Sequence, residues 1–461
     1  MAHPRLPRAL IPLRHRSFRL LVIGQVSSNV GDACYAVALP WYVLATHGGA
    51  VLLGTVLAAY GIPRTALIAV GGYASDRWRP QTVMLLTDLT RALVIGALAL
   101  AAALGPARAE ILVPLAVVIG AGEGLFLPAS FSIIPSLLPD DDLGPGNALS
   151  SSGTQLATLI GPAVGGALVA IAGPSFAFAL DAATFAVSAL TLCALRAARA
   201  ASTPAAPVPP IEYVTPIEHV SSAERVPTTE PAEPAEPAVA DASIAPPTLR
   251  ALFRTQRVLY IILGVNIAAN LCSGGLDGVA LPALAHGPLN AGATGYGVIL
   301  AAFGGGALLG TALVGQVGRL RRPVLAGSLA YLAQAVCIGF APYLGSVAGV
   351  SAAMVGLGIA NGFANVLTIT AFQRWAPPGT LGRLTGLLML TSFGIFPVSV
   401  AIAAIFVRDL GPAPFFLFAA ATLAAAILVG LTQRAWRDFG ATADPVPAPR
   451  PEPQKASTSH H

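Results

Sequence analysis

Gly72-Tyr73-Ala74-Ser75-Asp76-Arg77-Trp78-Arg79-Pro80 is a charged turn that closes one long apolar run and opens the next. Its outline returns 243 positions later as Gly315-Gln316-Val317-Gly318-Arg319-Leu320-Arg321-Arg322-Pro323, with Gly72 matching Gly315 and Pro80 matching Pro323. Shorter echoes surround the two copies. Val37-Ala38-Leu39-Pro40 recurs as Val279-Ala280-Leu281-Pro282, Leu57-Ala58-Ala59-Tyr60-Gly61 as Leu300-Ala301-Ala302-Phe303-Gly304, and Glu123-Gly124 aligns with Asn361-Gly362. The chain reads as a duplication, and the turn marks the same place in each copy.

Composition says what medium the copies occupy. A soluble chain carries about a quarter charged residues, whereas this one of 461 residues has 10% charged and 55% hydrophobic residues and a mean hydropathy of +0.73. It belongs in a membrane. The net charge of +5 is carried almost wholly by arginine, with Lys455 the only lysine, and the arginines sit in short loops, which argues against nucleic-acid binding. Cys34, Cys193, Cys272 and Cys337 lie in apolar runs without metal-ligand or disulfide-framework spacing and are expected to be small core residues. No metal, cofactor or signal peptide is indicated.

A helix needs about 20 mainly apolar residues to cross the hydrocarbon core. Twelve segments qualify, near 18–45, 51–73, 81–104, 111–138, 147–172 and 175–196, then 258–286, 294–317, 323–343, 346–375, 381–407 and 412–433. The fold predicted is an all-α membrane protein of twelve transmembrane helices in two six-helix bundles, 18–196 and 258–433. Basic residues in short loops stay cytoplasmic. Arg77, Arg79, Arg196, Arg199, Arg319, Arg321, Arg322, Arg374, Arg383, Arg434 and Arg437 all fall on the side of the amino-terminal segment 1–17, so both termini are expected in the cytoplasm of a cell whose cytoplasmic (inner) membrane holds the protein. The interruption 197–257 is rich in proline and glutamate and is expected to be a disordered tether. The tail 434–461 reads the same way.

Spans, turn and one further motif together resemble the major facilitator superfamily over nearly the whole chain. Gly72, Asp76 and Arg77 fit that family's signature between its second and third helices, with Arg79 the remaining cation where Pro80 and Gln81 replace a basic pair. Gly161-Pro162-Ala163-Val164-Gly165-Gly166 resembles the family motif associated with antiporters. Gly31-Asp32, Ala38-Leu39-Pro40-Trp41, Asp88-Leu89-Thr90-Arg91 and Leu180-Asp181-Ala182 resemble the drug:proton exporter branch that includes macrolide and siderophore exporters. The resemblance implies a fold of two bundles related by an axis along the membrane normal, with the site between them, and a gating role for Asp76 in the turn.

The residues carry a physical reading of their own. A charge at a helix centre costs about 2.5–3.5 kcal/mol on insertion scales and is retained where it meets water, a partner or a substrate. Asp32, Arg64 and Glu123 reach similar depth, and a carboxylate in a poorly solvated cavity can load and release a proton as access alternates. Asp32 and Glu123 are the candidates for proton or cationic-substrate binding, with Arg64 as counter-ion or anion contact; a static buried pair of Asp32 or Glu123 with Arg64 is the competing account. Asp88 and Arg91 share a helix face and are expected to pair locally. Asp181 and Asp277 are expected to be interfacial or capping charges. Gly161, Pro162, Gly165 and Gly166 favour a kink and close apposition to a facing helix, and Gly72 favours close packing at the turn.

The function expected is a secondary exporter of small amphipathic or hydrophobic molecules, driven by protons through alternating access, acting as a monomer in the lipid bilayer. Without a phosphate-binding loop direct ATP use has no support. An importer, facilitator or metal exporter of the same fold is the alternative. A membrane enzyme or receptor is disfavoured because it would need a reactive group with a base and an orienting partner, and the mid-membrane spans contain no histidine.

Overall fold

The computed structural model describes residues 8–202, 253–254, 256–317, 320–376, 380–437 and 439. Most of the expected tether and tail therefore lies outside the described residues, as does the Arg319 of the second turn. Among the described residues, ten stretches are long and apolar enough to cross a membrane. One of them runs from Asp140 and is broken at Gly173, whose φ of 82° is left-handed. Gly173 has no Cβ to oppose that φ and Pro174 cannot continue a hydrogen-bonded helix, so the stretch is two helices.

We number the long helices α1 (Arg16–Ala45), α2 (Gly49–Trp78), α3 (Pro80–Leu104), α4 (Ala109–Ile133), α5 (140–172) and α6 (174–202) in the amino half. The carboxyl half has α7 (257–286), α8 (Gly292–Val317), α9 (Pro323–Phe340), α10 (Val347–Trp375), α11 (Leu381–Leu410) and α12 (Pro412–Thr432). Helix α1 is the one of these that mean hydropathy alone passes over. Its Gln25, Ser27, Ser28, Asn29 and Asp32 dilute an otherwise apolar run. Helix α7 is interrupted by a π turn at Leu276–Ala280, just before Pro282, whose ring removes a backbone donor.

The bounds differ from expectation at two places. Helix α6 continues to Ser202 instead of ending at 196. The segment after α12 is ordered at its start: Arg434–Arg437 is helical, Trp436 and Phe439 are buried, and the Trp436 indole N–H donates to Ser328 Oγ at 3.0 Å. Two large apolar rings in an otherwise polar tail are enough to fasten it under the carboxyl half.

The duplication is visible in how helices cross. Gly120 and Gly124 of α4 lie against the backbone carbonyls of Tyr60 and Arg64 on α2. Gly358 and Gly362 of α10 lie in the same way against Phe303 and Ala307 on α8. Residues 60 and 64 match 303 and 307 at the spacing that relates the two turns. Small residues let backbones approach where lipid offers no hydrophobic drive to associate.

The halves meet along α2 with α11 and α5 with α8. Gly54 packs on Ala404, Gly61 on Phe396 and Pro397, Gly166 on Gly297, and Gly304 on Leu159. Toward the end where α2 turns into α3 the pattern changes. A Cβ added at Gly72, Gly315, Gly382 or Gly386 would meet nothing within 4 Å. The halves are thus joined at the middle and at the end remote from the turn, and stand apart at the turn end.

Candidate functional site

Glycine positions the charged group of the amino half. Because Gly120 and Gly124 bring α4 onto α2, Glu123 between them stands beside Tyr60 and Arg64, which are one helical turn apart on one face. Arg64 Nη2 lies 2.8 Å from Glu123 Oε1, and the Tyr60 hydroxyl donates to Oε2. Gly122 leaves room for the stem of Arg91 from α3, whose Nη2 is 3.5 Å from Glu123 Oε2. One carboxylate thus serves two guanidiniums and a phenol.

Both arginines also lie over rings. Arg91 is 4% exposed and sits 5.1 Å from the Phe185 ring centre and 5.5 Å from that of Phe126. Arg64 lies 4.2 Å from the ring centre of Phe393, which belongs to α11 in the opposite half. Its neighbour Thr65 donates to the Phe393 carbonyl at 2.9 Å. A desolvated cation over a ring gains about 2 kcal/mol, so the contact between halves and the ion pair within one half share a side chain.

Three more carboxyl groups surround this cluster. Asp32 on α1 lies within electrostatic reach of Arg91, Glu123, Arg64 and Asp181 but forms no ion pair with either arginine. Asp181 on α6 is fully buried and faces Gly31 of α1, which corrects its reading as an interfacial charge: the helix packing, not its nearness to a helix end, decides its surroundings. Asp88 is also fully buried and accepts from Ser188 Oγ at 2.6 Å. It does not pair with Arg91, contrary to expectation, because Arg91 is drawn across to Glu123 and Asp88 faces α6. One oxygen of Asp88 and one of Asp181 are buried without a hydrogen-bond partner among the described residues.

Of the remaining expected residues, Gly161 and Gly165 pack on Ala33 and Cys34 of α1. Pro162 and Gly166, on the adjacent face, meet Gly297 of α8. The motif therefore holds α5 to its own half with one edge and to the other half with the next. At the turn, Arg77 and Arg79 are exposed, and Arg79 takes a φ of 65° between α2 and α3. The Asp76 side chain lies outside what is described. Gly72 does not make the close packing expected of it; Gly71 does, against Gly124 and Leu125. Asp277 sits exposed in the π turn of α7, not at a helix end, so it caps nothing. Cys193 is exposed, unlike the buried Cys34 and Cys272.

The sequence reading missed Tyr60 and the role of Arg91. The signal for Tyr60 was its spacing of four from Arg64. It also missed the carboxyl half, where α7, α9, α10 and α11 enclose a cavity of about 470 Å³ with Asn266, Asn270, Tyr331, Gln334, Asn361 and Phe393 in its wall.

Comparison with known proteins places this arrangement. The family model of the Major Facilitator Superfamily matches residues 21–276. An "Uncharacterized MFS-type transporter y4rN" of Sinorhizobium fredii is 24% identical over 88% of this chain and 92% of its own length. "Multidrug efflux pump Tap" of Mycolicibacterium fortuitum is 27% identical over 38% of this chain and 44% of its own length, so less than half of that relative is matched. Among solved structures, a POT family transporter in complex with 5-aminolevulinic acid superposes with a TM-score of 0.66 at 13% identity, covering 90% of this chain and 96% of that one. The nucleoside transporter NupG gives 0.62 at 12% identity over 90% of this chain and 98% of its own. At such identities these likenesses speak for the fold. A duplicated bundle of membrane-spanning helices, a charge cluster within its amino half that reaches the other half through Arg64, and a family match over more than half its length make this chain a member of the Major Facilitator Superfamily, a multi-pass membrane transporter and not an enzyme.

Proposed function

We propose that the chain is a secondary exporter of small amphipathic or hydrophobic molecules, coupled to protons by alternating access in the cytoplasmic membrane, with both termini in the cytoplasm. The observation that carries the reading is Arg64. It holds Glu123 at 2.8 Å in its own half and stacks at 4.2 Å on Phe393 of the other, so rocking of one half against the other changes the surroundings of the ion pair. Around it, four carboxyl groups, those of Asp32, Asp88, Glu123 and Asp181, stand near two guanidiniums, those of Arg64 and Arg91, and of the four Glu123 is the one that pairs with them. In a poorly solvated bundle an unmatched ionised carboxyl is costly. A proton on the surplus acids offsets that cost, and its release accompanies the opening of the site to water.

Alternating access is supported by the asymmetry of the seam, closed at Gly166–Gly297 and open at Gly72 and Gly315. Export is supported by the similarity of 38% of the chain to part of a multidrug efflux pump. The test uses inverted membrane vesicles energised with a proton gradient and an amphipathic dye. Accumulation is expected to collapse with an uncoupler, and Glu123→Gln or Asp32→Asn to impair coupling while the protein still folds. Accumulation indifferent to the gradient would sink antiport, and full activity in both variants would sink the site.

A further inference from the structure

The two copies share a frame and differ in what it holds. At the α2–α4 crossing the frame carries Tyr60, Arg64 and Glu123; at the α8–α10 crossing the matching positions are Phe303, Ala307 and Asn361. A phenol, a guanidinium and a carboxylate are replaced by a ring, a methyl and a carboxamide. The replacement extends through the adjoining space. Six carboxamides, Asn266, Asn270, Gln334, Asn361, Asn365 and Gln373, line the cavity of about 470 Å³, and no Asp, Glu, His, Lys or Arg does among the described residues. A second space of about 390 Å³ between α5, α8 and α10 has Asn361 and Asn365 in its wall as well and is equally free of charged lining among the described residues.

Two features bear on what the cavity takes: one amide oxygen in its wall lacks a partner among the described residues, and the amides of α7 beside it are held in place. Gln334 is 8% exposed, lines the cavity, and its side-chain oxygen has no partner among the described residues. A buried acceptor left unsatisfied is rare in native proteins and calls for an explanation. Asn270 donates to Asn266 Oδ1 at 2.9 Å and to Ser392 Oγ at 3.2 Å, and Ser392 donates to Asn266 Oδ1 at 2.9 Å. That network fixes the amides of α7 in advance, a property of binding groups rather than of lipid-facing ones. A volume of this size falls within the ~300–1,000 Å³ of small-molecule pockets.

Chemistry selects the occupant. Carboxamides donate and accept at once, as do hydroxyl groups. A cation or anion entering here would shed water and find no counter-charge. We propose that the carboxamide cavity binds an uncharged, hydroxyl- and carbonyl-bearing portion of the transported molecule, sugar-like or polyol-like in chemistry. The inference rests on the transport reading and narrows its substrate class.

The test is equilibrium binding to the purified full-length chain in nanodiscs, without a proton gradient, of three probes: neutral nitrophenyl maltoside, cationic tetraphenylphosphonium and anionic anilinonaphthalene sulfonate. The neutral probe is expected to bind saturably, and Gln334→Leu to weaken it about tenfold through loss of one polar partner. Gln334→Glu keeps the length, adds a charge, and is expected to transfer preference to tetraphenylphosphonium. Three results would overturn the proposal: no saturable neutral binding, neutral binding indifferent to both substitutions, or wild-type tetraphenylphosphonium binding that Gln334→Leu abolishes. Neutral binding together with gradient-independent vesicles would remove proton-coupled export and leave the cavity's assignment standing.

Discussion

Gly297 offers the sharpest lever on conformation. A Cβ placed there would collide with the Pro162 carbonyl oxygen and come within 3.0 Å of Gly166 Cα. These are backbone atoms on the facing helix, so no rotamer change relieves the contact. Carbon atoms pack best about 3.5–4.0 Å apart, and α5 and α8 must separate by roughly that difference in Gly297→Ala. Overpacking of this kind costs about 1–3 kcal/mol. The cost falls on the state in which this end of the seam is closed. If the opposite state releases the contact, the ratio of the two states shifts by about 5- to 150-fold. Gly166→Ala acts on the same contact from the other side.

The assay is pulsed dipolar spectroscopy between spin labels on cysteines placed at Gly144 and Gly315, at the turn ends of α5 and α8, with exposed Cys193 replaced by serine. Both variants are expected to populate a shorter distance, as the turn end closes when the remote end is pried apart. Gly264→Ala, where an added Cβ meets nothing within 4 Å, is the control and is expected to leave the distribution unchanged. Folded Gly297→Ala and Gly166→Ala proteins with the wild-type distribution would refute the argument that this crossing sets the balance.

Asp76→Asn is expected to shift the same distance distribution and Arg319→Gln to leave it alone, because the carboxylate of the turn survives only in the first copy; equal effects of the two would remove the asymmetry. Trp436→Ala is expected to destabilise the carboxyl half by about 3–5 kcal/mol, read as a drop in melting temperature in detergent. An unchanged melt would mean that the segment after α12 does not fasten that half.

Much of the fold was legible because a helix in lipid must satisfy its backbone internally and must be long enough to cross. Two separate apolar runs, 147–172 and 175–196, announced α5 and α6, which the structure divides at Gly173, and the repeated turn announced the duplication. Azimuth was not legible. Asp88 and Arg91 share a face of α3, yet which neighbour each meets depended on α4 and α6. Gly71 and Gly72 differ by one residue, which is about 100° around a helix, enough to move the packing glycine from one to the other. Trp436 and Phe439 were visible as two large rings in a polar tail, but nothing local said that a groove awaited them. Amides without a motif gave no signal at all: Asn266, Asn270 and Gln334 gained meaning only when the helices enclosed a common space.

The two halves divide their chemistry across one residue. Phe393 carries the Arg64 guanidinium on its ring and also lines the carboxamide cavity. A neutral ligand lodged against that ring changes what Arg64 rests on, and Arg64 in turn is the closer of the two cations that hold Glu123. On the proposed reading the route from ligand to carboxylate needs no second charge in the carboxyl half, where Ala307 and Asn361 stand at the positions matching Arg64 and Glu123. It also fixes the order of dependence. Removing the ring should uncouple the cavity from the ion pair while leaving each intact, whereas removing Glu123 should leave the cavity able to bind and unable to report it.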